Sequence, residues 1–183
     1  MDNEAQQLIR AMLSDPERRN EAFRLLMRQY GRALYWHIRR MVVSHDDAED
    51  ALQETSIKIL SGIDRFRDDG DLMAWIYRIA TNEALQQLRR QTKLFQSIDS
   101  LGDSLGEKLE AESALDPDAA EVIFQKALLT LPTQQRIVFN LRYYDELSYD
   151  EIAAITGKNV GTLKTNYHYA TERIKQYIKD HSS

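Results

Sequence analysis

An all-α architecture, with two small helical domains joined by an acidic linker, is what this sequence predicts, and three observations predict it. Seven glycines and three prolines in 183 residues leave too little turn punctuation for a many-stranded fold. Apolar residues recur at three- and four-residue spacing through most of the chain, the period of an amphipathic helix. One central stretch loses that period and gathers Asp, Glu, Ser, Gly and a proline, as linkers do. The predicted boundaries are therefore a helical domain over 1–93, a linker over 94–120 and a second helical domain over 121–183.

Composition excludes several classes of function. The longest apolar stretches fall far short of the roughly 18 residues of a membrane span, so membrane insertion is not expected. The opening MDNEAQQLIR is acidic and polar, unlike a secretory signal or an Arg-rich transit peptide, and a cytoplasmic location is expected. With no cysteine there is no disulfide, thiolate zinc site or cysteine nucleophile.

Each element has its own local signal. Ser14-Asp15-Pro16-Glu17 offers a cap with proline in the first turn. Phe23, Leu26, Met27, Tyr30, Leu34 and Ile38 then form one helical stripe. Ser44, ahead of Asp46-Asp47, starts the next helix, with Ala48, Ala51, Leu52, Ile59 and Leu60 as its core positions. A glycine among acids marks a loop over 65–71, and a helix follows from Leu72 to Lys93 with Trp75 expected mostly in the core. Past the linker, Val122, Leu128, Leu129, Ile137, Val138, Leu141, Ile152, Ile155, Leu163 and Ile174 are the expected core of the second domain. Ser148-Tyr149-Asp150-Glu151 is a capping-box pattern opening a short helix that ends at Gly157, and Asn159 caps another helix beginning near Val160. Two helices joined by a tight glycine turn have helix-turn-helix spacing, and the second would expose Gly161, Thr162, Lys164, Thr165 and His168 toward a major groove. An ordinary helical hairpin with a polar face has the same spacing.

Charge is distributed unevenly around the net value of -5. Residues 23–45 sum to +5, 46–69 to -5, 70–93 to +2, 94–121 to -7 and 122–183 to +2. Alternating blocks suit a chain that meets more than one kind of surface, although solvated helix faces carry such runs too. Asp47, Asp50 and Glu54, at i, i+3 and i+7, give one acidic helix face with Gln53 beside it, a face that repels DNA and suits a basic protein surface. A carboxylate metal site is the competing chemistry. Di-iron bundles, however, use Glu-x-x-His motifs, and no acid stands three residues before any of the four histidines, so no metal and no cofactor is expected. The next helix mixes Trp75, Tyr77, Arg78, Asn82, Arg89, Arg90 and Lys93, a combination that holds single-stranded bases by stacking, amide hydrogen bonds and backbone charge.

Two sets of motifs carry a resemblance. Asp47-Ala48-Glu49-Asp50-Ala51-Leu52-Gln53-Glu54, Asp64-Arg65-Phe66, Ala74 to Asn82 and Leu88-Arg89-Arg90 resemble region 2 of bacterial extracytoplasmic-function sigma factors. Leu131-Pro132, Leu147 to Ala153 and Val160 to Thr165 resemble their region 4, in the family's order. The resemblance implies a non-catalytic transcription initiation subunit that binds core RNA polymerase, melts and reads the -10 promoter element with region 2 and docks region 4 on the -35 element. It assigns Asp47, Asp50, Gln53 and Glu54 to the polymerase β′ clamp helices, and Phe66, Arg78, Asn82, Arg89 and Arg90 to -10 DNA. Arg142, Thr162, Lys164, Thr165 and His168 fall to -35 DNA. Core RNA polymerase, through β′ and the β flap, promoter DNA and an anti-sigma factor are the implied partners. Asn166 and Tyr169 stand where relatives often carry arginines, Thr55-Ser56 where an apolar or aromatic pair is usual, and Gln86 where an aspartate is common.

Overall fold

The computed structural model describes residues 3–66, 71–95, 105–109 and 119–181, and among these every regular element is helical. In chain order they are α1 (Asn3–Leu13), α2 (Arg19–Val42), α3 (His45–Gly62), α4 (Leu72–Phe95), the short α5 (105–109), α6 (Ala119–Leu129), α7 (Thr133–Tyr143), α8 (Tyr149–Thr156) and α9 (Val160–His181).

The predicted caps form. Asp15 accepts a hydrogen bond from the Glu17 amide at 3.0 Å, with Pro16 opening a single 3-10 turn into α2. Ser44 accepts from the Asp47 amide at 3.4 Å and starts α3. Between them Val43 ends α2 at φ 71°, a conformation that a β-branched residue adopts only when its surroundings hold it. Its side chain is buried in the core, and its amide bonds the Arg39 carbonyl at 2.9 Å.

Helices α2, α3 and α4 pack on one another, with α1 laid against α2. Ile9, Leu26, Leu34, Ile38, Met41, Ile59, Leu72 and Ile76 are fully buried there. In the C-terminal half, α6, α7 and α9 enclose a second cluster of Ala127, Leu128, Leu131, Phe139, Ala170 and Ile174. The first cluster does not stop at the expected domain boundary. It continues without a break into Ile137, Val138, Leu141, Leu147, Ile152, Ile155 and Leu163, so α7 and α8 close onto α2 and α4.

Several expectations are refined. Leu60 is 44% exposed rather than core, because it lies on the outer side of α3. Phe23, Met27, Leu52, Val122 and Leu129 are half-buried. Trp75 is also half-buried, its ring centroid 5.1 Å from that of Phe66 and its far edge over Gly62, where an added Cβ would meet the indole at 3.1 Å. Within the expected linker, α5 is helical and buries Leu105; the i, i+4 pair Leu105 and Leu109 is too brief a signal to stand out in an acidic run. The remaining linker segments 96–104 and 110–118, and residues 67–70 of the expected loop, lie outside the described residues.

Gly157 closes α8 in the left-handed region at φ 72°, its amide bonded to the Ala153 carbonyl at 2.8 Å. Gly157→Ala is expected to destabilise the protein by about 1–2 kcal/mol, the cost of a Cβ in that conformation, measured as a lower midpoint in denaturant unfolding.

Candidate nucleic-acid interface

Helix α3 sorts its acids into two environments. Asp50, Gln53 and Glu54 are exposed on its outer side. Asp47 instead turns toward α4, where its carboxylate accepts from Gln87 at 2.8 Å, Gln91 at 2.7 Å and Lys108 of α5 at 2.8 Å. Burial opposes its charge, but the hydrogen bonds from Lys108, Gln87 and Ser44 together with the Lys108 charge outweigh that and hold its pKa below the usual aspartate value. The outer side then runs from acid into exposed apolar residues, Ile57 at 54% and Leu60 at 44%. Sequence reading missed this extension, although the spacing 50, 53, 54, 57, 60 follows one helix face.

Helix α4 carries Arg78, Asn82 and Arg89 exposed along one side, with Phe66 tilted against Trp75 at its start. Arg90 is exposed and donates to Gln87 at 3.4 Å. Asn82 opens onto a cleft of about 480 Å³ whose other wall includes Gln134, Ile155 and Lys158. Arg78 is engaged: its guanidinium donates to the Ala154 carbonyl and, at 3.3 Å, to the Ile155 carbonyl at the end of α8. The unusual polar residues nearby have local partners. Thr55 donates to the Ala51 carbonyl at 2.7 Å, Ser56 to the Leu52 carbonyl at 2.9 Å, and Gln86 to Glu83 at 3.2 Å, while buried Glu83 pairs with Lys58.

In the C-terminal half the capping box closes both ways, Ser148 amide to Glu151 carboxylate at 2.7 Å and Glu151 amide to Ser148 hydroxyl at 3.2 Å. Asn159 accepts from the Thr162 amide at 2.8 Å, and Leu163 is buried as the anchor of α9. That geometry leaves Gly161, Thr162, Lys164, Thr165 and His168 exposed together. Tyr169 is exposed beside them and Asn166 half-buried. Arg142 is held within its own domain, where it donates to the Leu147 carbonyl at 2.9 Å and lies 5.3 Å over the Tyr149 ring, bracing the turn into α8.

The structure thus brings Asp50, Gln53 and Glu54 together on α3, Arg78, Asn82 and Arg89 on α4, and Thr162, Lys164, Thr165 and His168 on α9. Asp47 sits apart from these exposed sets, half-buried against α4, whereas Arg142 is exposed while it braces the turn into α8. Among the described residues no group of three or more His, Asp or Glu side chains is placed to hold a metal ion.

Two family models match separate parts of the chain. Residues 26–94 match the model for Sigma-70 region 2, and residues 121–174 match that for Sigma-70, region 4. The chain is 30% identical to the ECF RNA polymerase sigma factor SigW of Bacillus subtilis (strain 168) over 169 residues, covering 87% of this chain and 90% of that protein. It is 32% identical to the ECF RNA polymerase sigma-E factor of Escherichia coli (strain K12) over 168 residues, 87% of each. In structure it is similar to the sigma factor RpoE of Bartonella quintana, solved in complex with the anti-sigma factor NepR, with a TM-score of 0.67 and 26% identity over 86% of this chain and 96% of that one.

The partners of Asp47 predict a stability effect with a defined pH dependence. Asp47→Asn is expected to cost about 1.5–3 kcal/mol at neutral pH, as a charged hydrogen-bond acceptor is lost. Because the folded pKa is depressed, this contribution is complete above the unfolded value and vanishes as pH falls through the folded one. Urea titrations of both proteins at a series of pH values would show the two converging in acid.

Proposed function

The chain belongs to the extracytoplasmic-function RNA polymerase sigma factors, and from that premise we propose how its exposed faces divide the work. It is a transcription initiation factor that acts with RNA polymerase at promoters, and not an enzyme. In our reading residues 1–93 bind core polymerase and the -10 element, residues 121–183 bind the -35 element, and 94–120 connect them.

The observation that supports this most directly is the segregation of exposed polar residues by charge onto three helices. On α3, Asp50, Gln53 and Glu54 face outward with no basic neighbour in that set, which favours a basic protein surface such as the β′ clamp helices and repels phosphate. Asp47 contributes by holding α3 against α4 and setting the angle at which that face is offered. On α4, Arg78, Arg89 and Arg90 would follow the backbone of the separated strand, while the Asn82 amide and the Phe66 ring would capture a base turned out of the stack. Extruding a base costs a few kcal/mol, so a pocket that compensates only for the right base makes strand opening sequence-dependent. On α9, Thr162, Lys164, Thr165 and His168 project from the first turns of a recognition helix, with Arg142 reaching DNA from the preceding helix.

The C-terminal domain is only weakly basic, +2 over 122–183, so little counterion release accompanies its binding alone. Affinity then comes from polymerase, contacted through β′ and the β flap, holding both DNA-binding domains in place at once. The site of action in this reading is the bacterial cytoplasm; among the described residues no helix is long and apolar enough to cross a membrane. An anti-sigma factor, as seen on the RpoE relative, is a further partner we propose for this chain.

The test is capture of core RNA polymerase by the purified protein, followed by transcription from a random promoter library. A two-part consensus is the expected result, and failure to bind polymerase would sink the reading. Asp50→Arg and Glu54→Lys are expected to abolish capture with the fold intact, since each reverses charge on an exposed face; wild-type affinity would remove α3 from the interface. Asn82→Ala is expected to impair promoter opening more than recruitment to a promoter fragment, and equal losses would make Asn82 a structural residue.

A further inference from the structure

One block of charge takes no part in the faces described above. Residues 23–45 sum to +5 and contain no acid, and all five of the charges are arginines of α2. Arg40 turns inward, where it donates at 3.3 Å to Asp145, in the turn between α7 and α8, and lies 4.2 Å over the Tyr144 ring. Arg39 is half-buried. Arg24, Arg28 and Arg32 are exposed, and among the described residues none of the three makes an ion pair or hydrogen bond through its guanidinium.

Helix geometry puts these three in one row. Each stands four residues from the next, so successive arginines rise about 6 Å along the axis and drift little around it. Leu26, Tyr30 and Leu34, each two residues after an arginine and so about half a turn away, are buried, and the row therefore runs along the side of α2 opposite its core contacts. Trp36, 45% exposed, continues the row one turn beyond Arg32. Glu21, the one acid of α2, is paired with Arg18 at 3.1 Å.

Folding does not account for such a row. Like charges at i, i+4 oppose the helix that carries them, and solvated helix faces interleave both signs. A row of one sign fits a partner that is negative at regular intervals. Protein surfaces present both signs, whereas the phosphates of a nucleic-acid strand repeat without interruption. Arginine meets each phosphate with two parallel N–H donors, and an exposed aromatic ring at the end of a basic track is suited to packing on a sugar or base.

We propose that the outer face of α2 is a further nucleic-acid contact of this chain, in which Arg24, Arg28 and Arg32 follow the phosphate backbone of promoter DNA without reading its sequence. The contact shares no residue with those proposed for α4 and α9 and does not depend on them. It adds affinity that is uniform across promoters and falls steeply with salt, because each neutralised phosphate releases condensed counterions. That affinity supplements the weakly basic C-terminal domain, +2 over 122–183.

The test uses holoenzyme reconstituted from the full chain and core polymerase, with a promoter obtained from the library. Arg24→Ala, Arg28→Ala and Arg32→Ala are combined in one variant and Arg28→Glu is made separately, with helix content and polymerase capture checked in both. Each is expected to fold and to capture polymerase as the parent does. In the triple variant the slope of log affinity against log salt concentration, measured on a duplex promoter fragment, should become shallower by about 2–3. A duplex of scrambled sequence should show an equal loss. Arg28→Glu should weaken binding at low salt and recover most of that deficit at high salt, which keeps the test decisive if the triple variant does not fold. The chain has no cysteine, so Gln29→Cys, at an exposed position between Arg28 and Arg32, takes a single tethered iron chelate that cuts nucleic-acid backbone nearby. Cutting should fall within one short stretch of the promoter; paired DNA there identifies a duplex contact, melted DNA a single-strand contact. Unchanged salt dependence in the folded variants overturns the proposal, as does an absence of cutting or a loss confined to the promoter fragment. Loss of polymerase capture overturns it too, and would assign the row to an acidic protein surface.

Discussion

Helix α4 has to serve two neighbours and a ligand at once, and much of the architecture is arranged around that constraint. Leu72, Ile76, Ala80, Ala84 and Leu88 repeat every four residues and are buried, a continuous apolar stripe set against α2 and α3. Small residues at 80 and 84 bring the packed helices close. One step around the helix, Tyr77 and Thr81 meet His37, and one step further Arg78 and Asn82 reach the surface. A rotation of the helix by one position would bury the guanidinium and expose the leucines. The hydrophobic stripe therefore sets the direction in which the functional side chains point.

Polar bonds then adjust what apolar packing leaves free. Asp47 joins α3 to α4 and α5 through Gln87, Gln91 and Lys108, and Glu83 joins α4 back to α3 through Lys58. These contacts hold the acidic helix at a defined angle, so the outward acids are presented by a rigid support. The same arrangement recurs in the C-terminal half, where Arg142 and the Ser148 to Glu151 box fix α8, and α8 in turn positions α9. Residues that a motif match groups under one role thus divide into those that meet solvent and those that hold the framework.

Much of this was legible in advance because it is local. A serine or asparagine before an apolar run, a glycine after one and an i, i+3, i+7 acid pattern have consequences within one or two helical turns, and Ser44, Ser148, Gly157 and Asn159 behave as expected. The exposed sets on α4 and α9 were readable for the same reason. Leu60 was misjudged because apolar character says a residue is eligible for burial, while the number of neighbours decides whether it happens. The helix at 105–109 escaped notice because its two leucines gain their partners from the helical core, far away in the chain.

The sequence by itself determined the helices, their caps, the charge of each exposed face and the family to which the chain belongs, since periodicity, capping and motif order are properties of neighbouring residues. Only the tertiary structure decided that the two halves share one core, that Asp47 turns inward while Asp50 and Glu54 turn out, and that Asp145 reaches His37 and Arg40 across more than a hundred residues. Nothing local marks Asp145 for burial. An aspartate in a turn is ordinarily solvated, and it becomes a bridge here because α7 and α8 dock where two donors of α2 are already waiting.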